Sequence, residues 1–551
     1  MKRTTGILNL FIAHTGKLVC AIPKTSAMLN TLFLSLVLLF SNACNSKAEK
    51  KYIDTPHEML GRITDTLHPI TMDQFIGMNT FVDDPVDKIA AVGFVREYHN
   101  WEWDDGTADG NYRGFPYSEL RFAPSGPGWS YDDFYGKLKQ SGIPVSPCIQ
   151  GAPNWLHGQN NFPKDNKPID AQGLLASDPQ SYYKKAHFMY QFAARYGSAQ
   201  VPASKLTLAK GQKPLSGLGL VKYIEDWNEQ DRDWDGPDAY FKPEEYAAMA
   251  SANYDGHGNT MKKIDGNYGI KNADSSMKFV MGGLSSQSLD YIKKMKAWFE
   301  ANRPDKKFVP DVINFHIYSF KQGADWKGGS GPALSPEDGL FREKLSEIVK
   351  YRNENLPGVE VWVSEFGWDT NPNSSLAAAE IGPYDIQEMQ AIWLVRAYMA
   401  FAAAGVDRAQ MYMSRDVDPN DATWFSTCGL MGPKGDFTPK KSWYYVYTLK
   451  NLLAGHRYTG AQQCADKNVL IYKFNNKKNN TETHVVWAKT SKNYIAQNIP
   501  VTLAPGAATA QIVNLLPGST TGESQSITVK NGKVFVTVTE KPLFIVTSPA
   551  Q

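Results

Sequence analysis

The stretch "LGLVKYIEDWNEQDRDW", residues 218–234, starts as an apolar run and ends in a knot of carboxylates and tryptophans. The run from Leu218 to Val221, followed by Tyr223 and Ile224, reads as a buried strand. A buried strand that ends in acid needs a reason, because an unpaired carboxylate is costly to remove from water. Apolar, β-rich segments recur at 73–79, 88–98, 143–149, 278–283, 311–319, 359–367 and 406–414. Helical patterns separate them. "SDPQSYYKKAHFMYQFAARYG" opens on the N-cap signals Ser177, Asp178 and Pro179 and stops at Gly197. A second pattern starts at Ser335 and a third ends at Gly405, with further helices expected over 131–141, 243–253, 288–301 and 440–453. Near-continuous apolar strands, each followed by a helix, imply a parallel sheet covered on both faces. Eight such units predict an α/β chain with a (β/α)8 barrel over residues 61–453. A doubly wound sheet is the structural rival, and the lack of a GxGxxG after the first strand counts against it.

The texture changes after Gly455. Short alternating segments such as "NVLIYKFNN", "THVVWAK" and "NIPVTLAP" follow, with an Asn531-Gly532 hairpin signal. Residues 454–551 therefore read as a small all-β sandwich, a structural partner of the barrel in the first place and a glycan binder in the second. At the other end, "LNTLFLSLVLLF" (29–40) is too short to span a bilayer and has the form of a signal-peptide core. "SNAC" follows, ending at Cys44. Residues 1–43 are expected to be a signal peptide, Cys44 to be lipidated in the manner of a bacterial lipoprotein, and 44–60 to be a linker. The expected location is the cell envelope, reached through that lipid anchor.

Composition narrows the function. A net charge of +2 in 551 residues gives no sign of nucleic acid as a partner. The three remaining cysteines, Cys148, Cys428 and Cys464, lack CxxC spacing, so neither structural zinc nor a disulfide framework is expected, and no other cofactor. Aromatics are abundant, with 14 Trp, 27 Tyr and 26 Phe, and their flat faces suit sugar rings as well as cores. In a barrel of this type the C-terminal strand ends carry the chemistry. Those ends bear Asn79, Arg96, Asn228-Glu229, His316 with Tyr318, and Ser364-Glu365. Two glutamates facing one mouth are what glycosidic cleavage with retention needs: one attacks the anomeric carbon and the other protonates the leaving oxygen. Glu225 and Asp226 lie earlier on the strand and read as barrel-interior or salt-bridging groups. Asp231, Asp233 and Asp235 read as loop decoration.

"WNE" at the end of a fourth strand, "HIY" on a sixth and "SEFGW" at the end of a seventh resemble the signature of the clan A glycoside hydrolases. In its barrel and C-terminal β-domain the chain is similar, loosely, to the β-xylosidase/α-iduronidase group of that clan. The resemblance implies Glu229 as acid/base and Glu365 as nucleophile. It implies that Asn228 binds the sugar 2-hydroxyl, that Arg96 keeps Glu365 ionised, that Tyr318 bonds the nucleophile and that His316 orients the cleft. The eighth strand departs from the clan, reading "MYMSRD" where relatives carry a tryptophan floor. Trp424 is a candidate replacement, and Arg415 in the cleft would favour an anionic sugar. Trp101, Trp103, Trp155, Trp234 and Trp368 are further stacking candidates. A non-catalytic carbohydrate-binding lipoprotein on the same scaffold stands as the alternative. A metal-assisted barrel enzyme would need a cluster of His, Asp and Glu ligands at the strand tips. Sugar identity, linkage and oligomeric state are not legible.

Overall fold

The computed structural model describes residues 70–105, 125–126, 129–157, 161–209, 211–261, 267–329 and 331–547. The expected signal peptide, Cys44 and the 44–60 linker lie outside them. Eight parallel strands form the barrel: β1 (Ile76–Thr80), β2 (Phe94–Asn100), β3 (Val145–Gln150), β4 (Tyr223–Asp226), β5 (Lys278–Met281), β6 (Val312–His316), β7 (Glu360–Glu365) and β8 (Arg408–Met411). Each pairs with its sequence neighbour, and β8 pairs with β1 to close the sheet.

The crossovers are α1 (Val86–Ile89), α2 (Tyr131–Gln140), α3 (Tyr183–Tyr196), α4 (Pro243–Asn259), α5 (Leu289–Asn302), α6 (Phe341–Asn355), α7 (Ile386–Ala404) and α8 (Lys441–Leu452). Side-chain caps start three of them, with Ser130, Ser288 and Asp385 accepting from backbone N–H groups in the first turn. Several boundaries differ from the sequence reading: residues 73–75, expected as strand, belong to a helical turn (Met72–Phe75) before β1, and a 3-10 turn (Pro179–Tyr182) precedes α3. The segment expected as strand from residue 88 begins as the single turn α1, and β2 starts at Phe94. The helix expected from Ser335 starts at Phe341 instead. Ser335 caps only a local turn, accepting from Asp338 N at 3.1 Å, and Leu340 then turns left-handed at φ 57° before the helix begins.

Side chains fill the barrel interior in layers. The floor is aromatic: Phe94, Tyr223 and Trp362 pack with Val280 and Val312, and the Arg408 guanidinium lies 4.3 Å from the Phe94 ring centroid. Two residues further along their strands stand Arg96, Glu225 and Asn314, all buried. The alternation of a strand thus carries the interior from apolar floor to polar mouth within two steps.

Eight strands make the C-terminal module: β9 (Arg457–Ala461), β10 (Val469–Asn476), β11 (Thr481–Ala488), β12 (Ala496–Thr502), β13 (Thr509–Asn514), β14 (Glu523–Thr528), β15 (Lys533–Val538) and β16 (Leu543–Thr547). Six form one sheet, in the order β9-β10-β11-β16-β13-β14, and β12 pairs with β15. Val469, Ile471, Val486 and Ile545 of the large sheet pack on Val501, Val534 and Val536 of the small one. Its other face, with Tyr472, Phe474, Val485, Trp487 and Phe544, belongs to the core that also contains the barrel. Burial on both faces explains why "VLIY" and "HVVW" are continuous apolar runs. The Asn531-Gly532 turn is left-handed at both residues, φ 52° and 70°, as an Asn-Gly hairpin requires. Trp487 Nε1 donates to Glu337 at 2.8 Å, the carboxylate that also pairs with Arg396 of α7. Trp487→Ala should therefore destabilise the whole chain by about 3–5 kcal/mol, with the barrel and the module unfolding together in denaturant titrations. An unchanged midpoint would show that the two are energetically separate.

Candidate active site

Three local backbone features bring the strand ends into one cleft. The first is the tip of β4, where Trp227 (φ 80°) and Glu229 (φ 47°) both adopt left-handed conformations around Asn228. Non-glycine residues held there are strained and persist only where surrounding contacts impose them. Arg232 supplies such contacts, donating to the carbonyls of Asn228 (3.0 Å) and Glu229 (3.1 Å) and pairing with Asp165. The second is a bulge in β7. Phe315 pairs with Val363 and His316 with Glu365, leaving Ser364 without a partner in the ladder. Strict alternation from the inward Trp362 would turn Glu365 toward the helices, and the extra residue re-aims it into the barrel. The third is Gly283 at the end of β5, where a Cβ would lie 2.2 Å from His316 Nε2 and 2.9 Å from Ser364 Oγ.

The side chains then meet around Arg96. Its Nε and Nη2 donate to the two oxygens of Glu225 at 2.7 and 2.8 Å. Nη1 donates to Glu365 Oε1 (2.8 Å) and Asn79 Oδ1 (2.9 Å), and Nη2 also reaches Asn228 Oδ1 (2.7 Å). Asn79 in turn donates to the backbone of Ser364 and Met411, tying β7 to β8. Glu365 is buried and accepts from Arg96, from Tyr98 and, at 3.0 Å, from Tyr318. Burial pushes its carboxyl up, but His316, Arg96 and the Tyr98 hydrogen bond outweigh it, and the net position is below the ordinary carboxylate range. Glu229 is different. Its side chain is 23% exposed, against 6% for Glu365, and its partner is His316 Nδ1 at 2.9 Å. Burial pulls the His316 imidazole down, yet the two carboxylates raise it above the usual histidine value. The nearest oxygens of Glu229 and Glu365 and a ring nitrogen of His316 all lie within 4.8 Å of one another.

The structure thus brings together Arg96, Asn228, Glu229, His316, Tyr318 and Glu365. It does not bring the whole expected set. Trp368, in the loop after β7, is fully buried, stacked on Phe341 of α6, packed against Trp393 of α7 and donating to the Leu334 carbonyl at 3.0 Å. Trp155 is buried with its indole N–H on the Asp105 carbonyl. Trp103 packs near His99, 6.2 Å between centroids, on the outward face of β2. Arg415 is not free for an anionic sugar. It pairs with Asp83 at 3.0 Å and with buried Asp84, and lies over the Phe81 ring, so the β1 loop neutralises it. Trp424 remains partly exposed, stacked on Phe320 at 4.2 Å.

Three contributors escaped the sequence reading. Tyr98 bonds the Glu365 carboxylate, and its position two residues after Arg96, on the same strand face, was the available signal. Tyr412 stands at the tip of β8, 5.8 Å from Tyr98. Phe425 contacts Tyr412 and Tyr318 at 5.4 and 4.9 Å from a loop held by Asp369, which accepts from the N–H groups of Phe425 and Thr427. No local pattern announces that pairing.

Glu229, His316 and Glu365 are also the one group among the described residues with metal-ligand types at metal-ligand spacing. The Arg96 guanidinium and two phenols already occupy the Glu365 oxygens. A permanent positive charge 2.8 Å from the carboxylate opposes a cation there.

No protein-family model matches the chain, and no curated protein sequence matches it. Solved structures do. A family 39 glycoside hydrolase from the gut symbiont Bacteroides cellulosilyticus WH2 is 15% identical, with 87% of this chain and 82% of that one covered and a TM-score of 0.56. A glucosidase from Croceicoccus marinus is 13% identical over 87% of this chain and 97% of that one, with a TM-score of 0.53. CelM2, a bifunctional glucanase-xylanase from a metagenome library, is 13% identical over the same shares, 87% and 97%, with a TM-score of 0.50. The likeness is one of fold: a barrel followed by a β-domain.

Tyr98→Phe removes one donor from an ionised carboxylate, an interaction of about 1.5–3 kcal/mol. Since the lost bond favours the charged form, the Glu365 carboxyl should move up. The acidic limb of the pH–kcat/KM profile should shift to higher pH, with a roughly 10- to 100-fold fall in activity at the optimum. An unshifted acidic limb would show that Tyr98 does not set the state of Glu365.

Proposed function

We propose that this chain is a retaining glycoside hydrolase of the cell envelope, acting on an extracellular or periplasmic poly- or oligosaccharide. The observation that carries the reading is the spacing of Glu229 and Glu365, whose nearest oxygens approach within 4.8 Å. Double displacement uses carboxyl groups about 5–5.5 Å apart, whereas inversion needs about 6.5–9.5 Å to admit a water. Their unequal surroundings support unequal roles. Glu365, anionic and held by three donors, attacks the anomeric carbon. Glu229, bonded to His316 Nδ1 at 2.9 Å and the more exposed of the two glutamates, takes the acid/base role and carries a proton for the leaving oxygen. Glu229 delivers it as the glycosidic bond breaks and takes one back from water when the glycosyl-enzyme is hydrolysed. Asn228, anchored by Arg96 through its carbonyl oxygen, keeps its amide N–H2 for the sugar 2-hydroxyl. The similar structures, of a family 39 glycoside hydrolase, a glucosidase and a glucanase-xylanase, support a sugar substrate. The envelope location rests on the apolar run at 29–40 and on Cys44, where a lipid would be attached.

The test is release of sugars from a panel of plant, algal and bacterial polysaccharides. Activity on a member of the panel should vanish in Glu365→Gln, and proton NMR should show the product first with the anomeric configuration of the substrate. Activity surviving that substitution, or an inverted first product, would overturn the reading. In Glu229→Gln the rate should drop by about 10²–10⁴-fold for a natural sugar leaving group. An activated aryl leaving group, which needs less protonation, should suffer a much smaller loss. Equal losses for both would remove Glu229 from the acid role.

A further inference from the structure

We propose that the wall of the cleft on the β6–β8 side is a glycan-chain subsite ending at Trp326, so that the substrate is an oligosaccharide or polysaccharide chain rather than a single terminal sugar. The inference rests on the hydrolase reading above. It starts at the reacting groups. Tyr318, whose phenol bonds Glu365, lies 4.9 Å from Phe425, and Phe425 lies 6.3 Å from Trp424. Trp424 stacks on Phe320 at 4.2 Å with an interplanar angle of 25°. Phe320 also lies 6.2 Å from Tyr318, so the four rings form one aromatic cluster beside the reacting groups.

Trp326 continues it. The indole is 51% exposed in the loop after β6. A lone exposed aromatic is ordinary on a protein surface. This one differs in how its backbone is held. The Trp326 carbonyl accepts from Trp424 N at 3.0 Å, and the Asp325 carbonyl accepts from Ser375 Oγ at 2.7 Å. Ser375 Oγ also accepts from the Trp424 indole at 2.6 Å, and Gly329 N donates to the Asn373 carbonyl at 3.1 Å. Gly328, at φ 110°, lets the loop lie flat on its neighbours, since a Cβ there would approach the Asn373 carbonyl to 2.6 Å. Three loops, from β6, β7 and β8, therefore cooperate to present an indole to solvent. Phe425 is itself held left-handed at φ 71° within the same wall. Phe320, Trp424 and Phe425 pack against the core while Trp326 stands exposed, and an apolar ring face beside polar edges is what a sugar ring binds. The Lys327 ammonium lies over one face of the Trp326 ring, 5.2 Å from its centroid, so a sugar would stack on the opposite face.

The experiment uses Glu365→Gln protein, to stop turnover, on an array of plant, algal and bacterial oligosaccharides of two to eight units. Affinity should rise with chain length in at least one series. The ratio of affinities for the six-unit and two-unit members should fall about tenfold when Trp326→Ala is added. Trp326→Phe, which keeps a ring, should restore part of it. Length-independent binding, or a ratio untouched by Trp326→Ala, would overturn the subsite. If the wild-type enzyme still cleaves an aryl monoglycoside in a Glu365-dependent way, the hydrolase reading stands without it. Absence of both binding and cleavage would sink the two together. A change in self-association alone on Trp326→Ala, seen by sedimentation, would assign the indole to a protein contact and equally overturn the proposal.

Discussion

A buried guanidinium organises this molecule. Arg96 sits at the centre of the barrel with almost no exposure and two carboxylates against it. Its bidentate pair with Glu225 fixes the planar fork, and the fork then dictates where Asn79, Asn228 and Glu365 must stand. Removing charge from water is repaid only when geometry and hydrogen bonding are nearly complete. The network meets that condition from strands β1, β2, β4, β6 and β7 at once, with Asn314 closing the remaining side of Glu225 at 3.1 Å. Electrostatics follow from this arrangement. Arg96 and His316 together hold Glu365 below its ordinary carboxylate position, and His316 bridges it to Glu229.

The charged layer works because the layers below and above it differ. Beneath it, Phe94, Tyr223 and Trp362 seal the barrel against water. Above it, the strand ends leave regular geometry. The Ser364 bulge, the left-handed Trp227 and Glu229, and the close approach of His316 to Gly283 each redirect one side chain by distorting one stretch of backbone. Behind β2, His99 lies between Glu97 and Asp104, and the two carboxylates raise it to about 9 against the opposing pull of burial. The strand that carries Arg96 and Tyr98 inward is thus pinned by a second ionic group on its outer face. Asp226, read from sequence with Glu225 as a barrel-interior or salt-bridging group, faces outward: it is held by Asn253, lies near Lys185 and is pushed up to about 6 by burial.

Much of this was legible before any coordinates. Alternating apolar strands and capped helices imply a parallel sheet covered on both faces, and the lack of a GxGxxG after the first strand favoured a barrel over a doubly wound sheet. The polar residues at strand ends were readable because burying them without function is costly. The tryptophans were not. Trp155 and Trp368 belong to motifs that look exposed in a linear reading, yet both are core, because an indole satisfies a buried carbonyl with its N–H and fills volume with its ring. Arg415 was misread for a related reason: its partners Asp83 and Asp84 lie more than three hundred residues away along the chain.

The sequence by itself therefore determined the architecture and the chemical types at the mouth, because period, capping and residue cost are local properties. Only the tertiary structure decided the distances that matter: the close approach of Glu229 to Glu365, the Tyr98 bond, the loop that presents Phe425, and the neutralisation of Arg415. Each of these joins strands that meet only when the barrel closes. A one-residue bulge or a single left-handed φ, invisible in a string of letters, sets which way the side chain points.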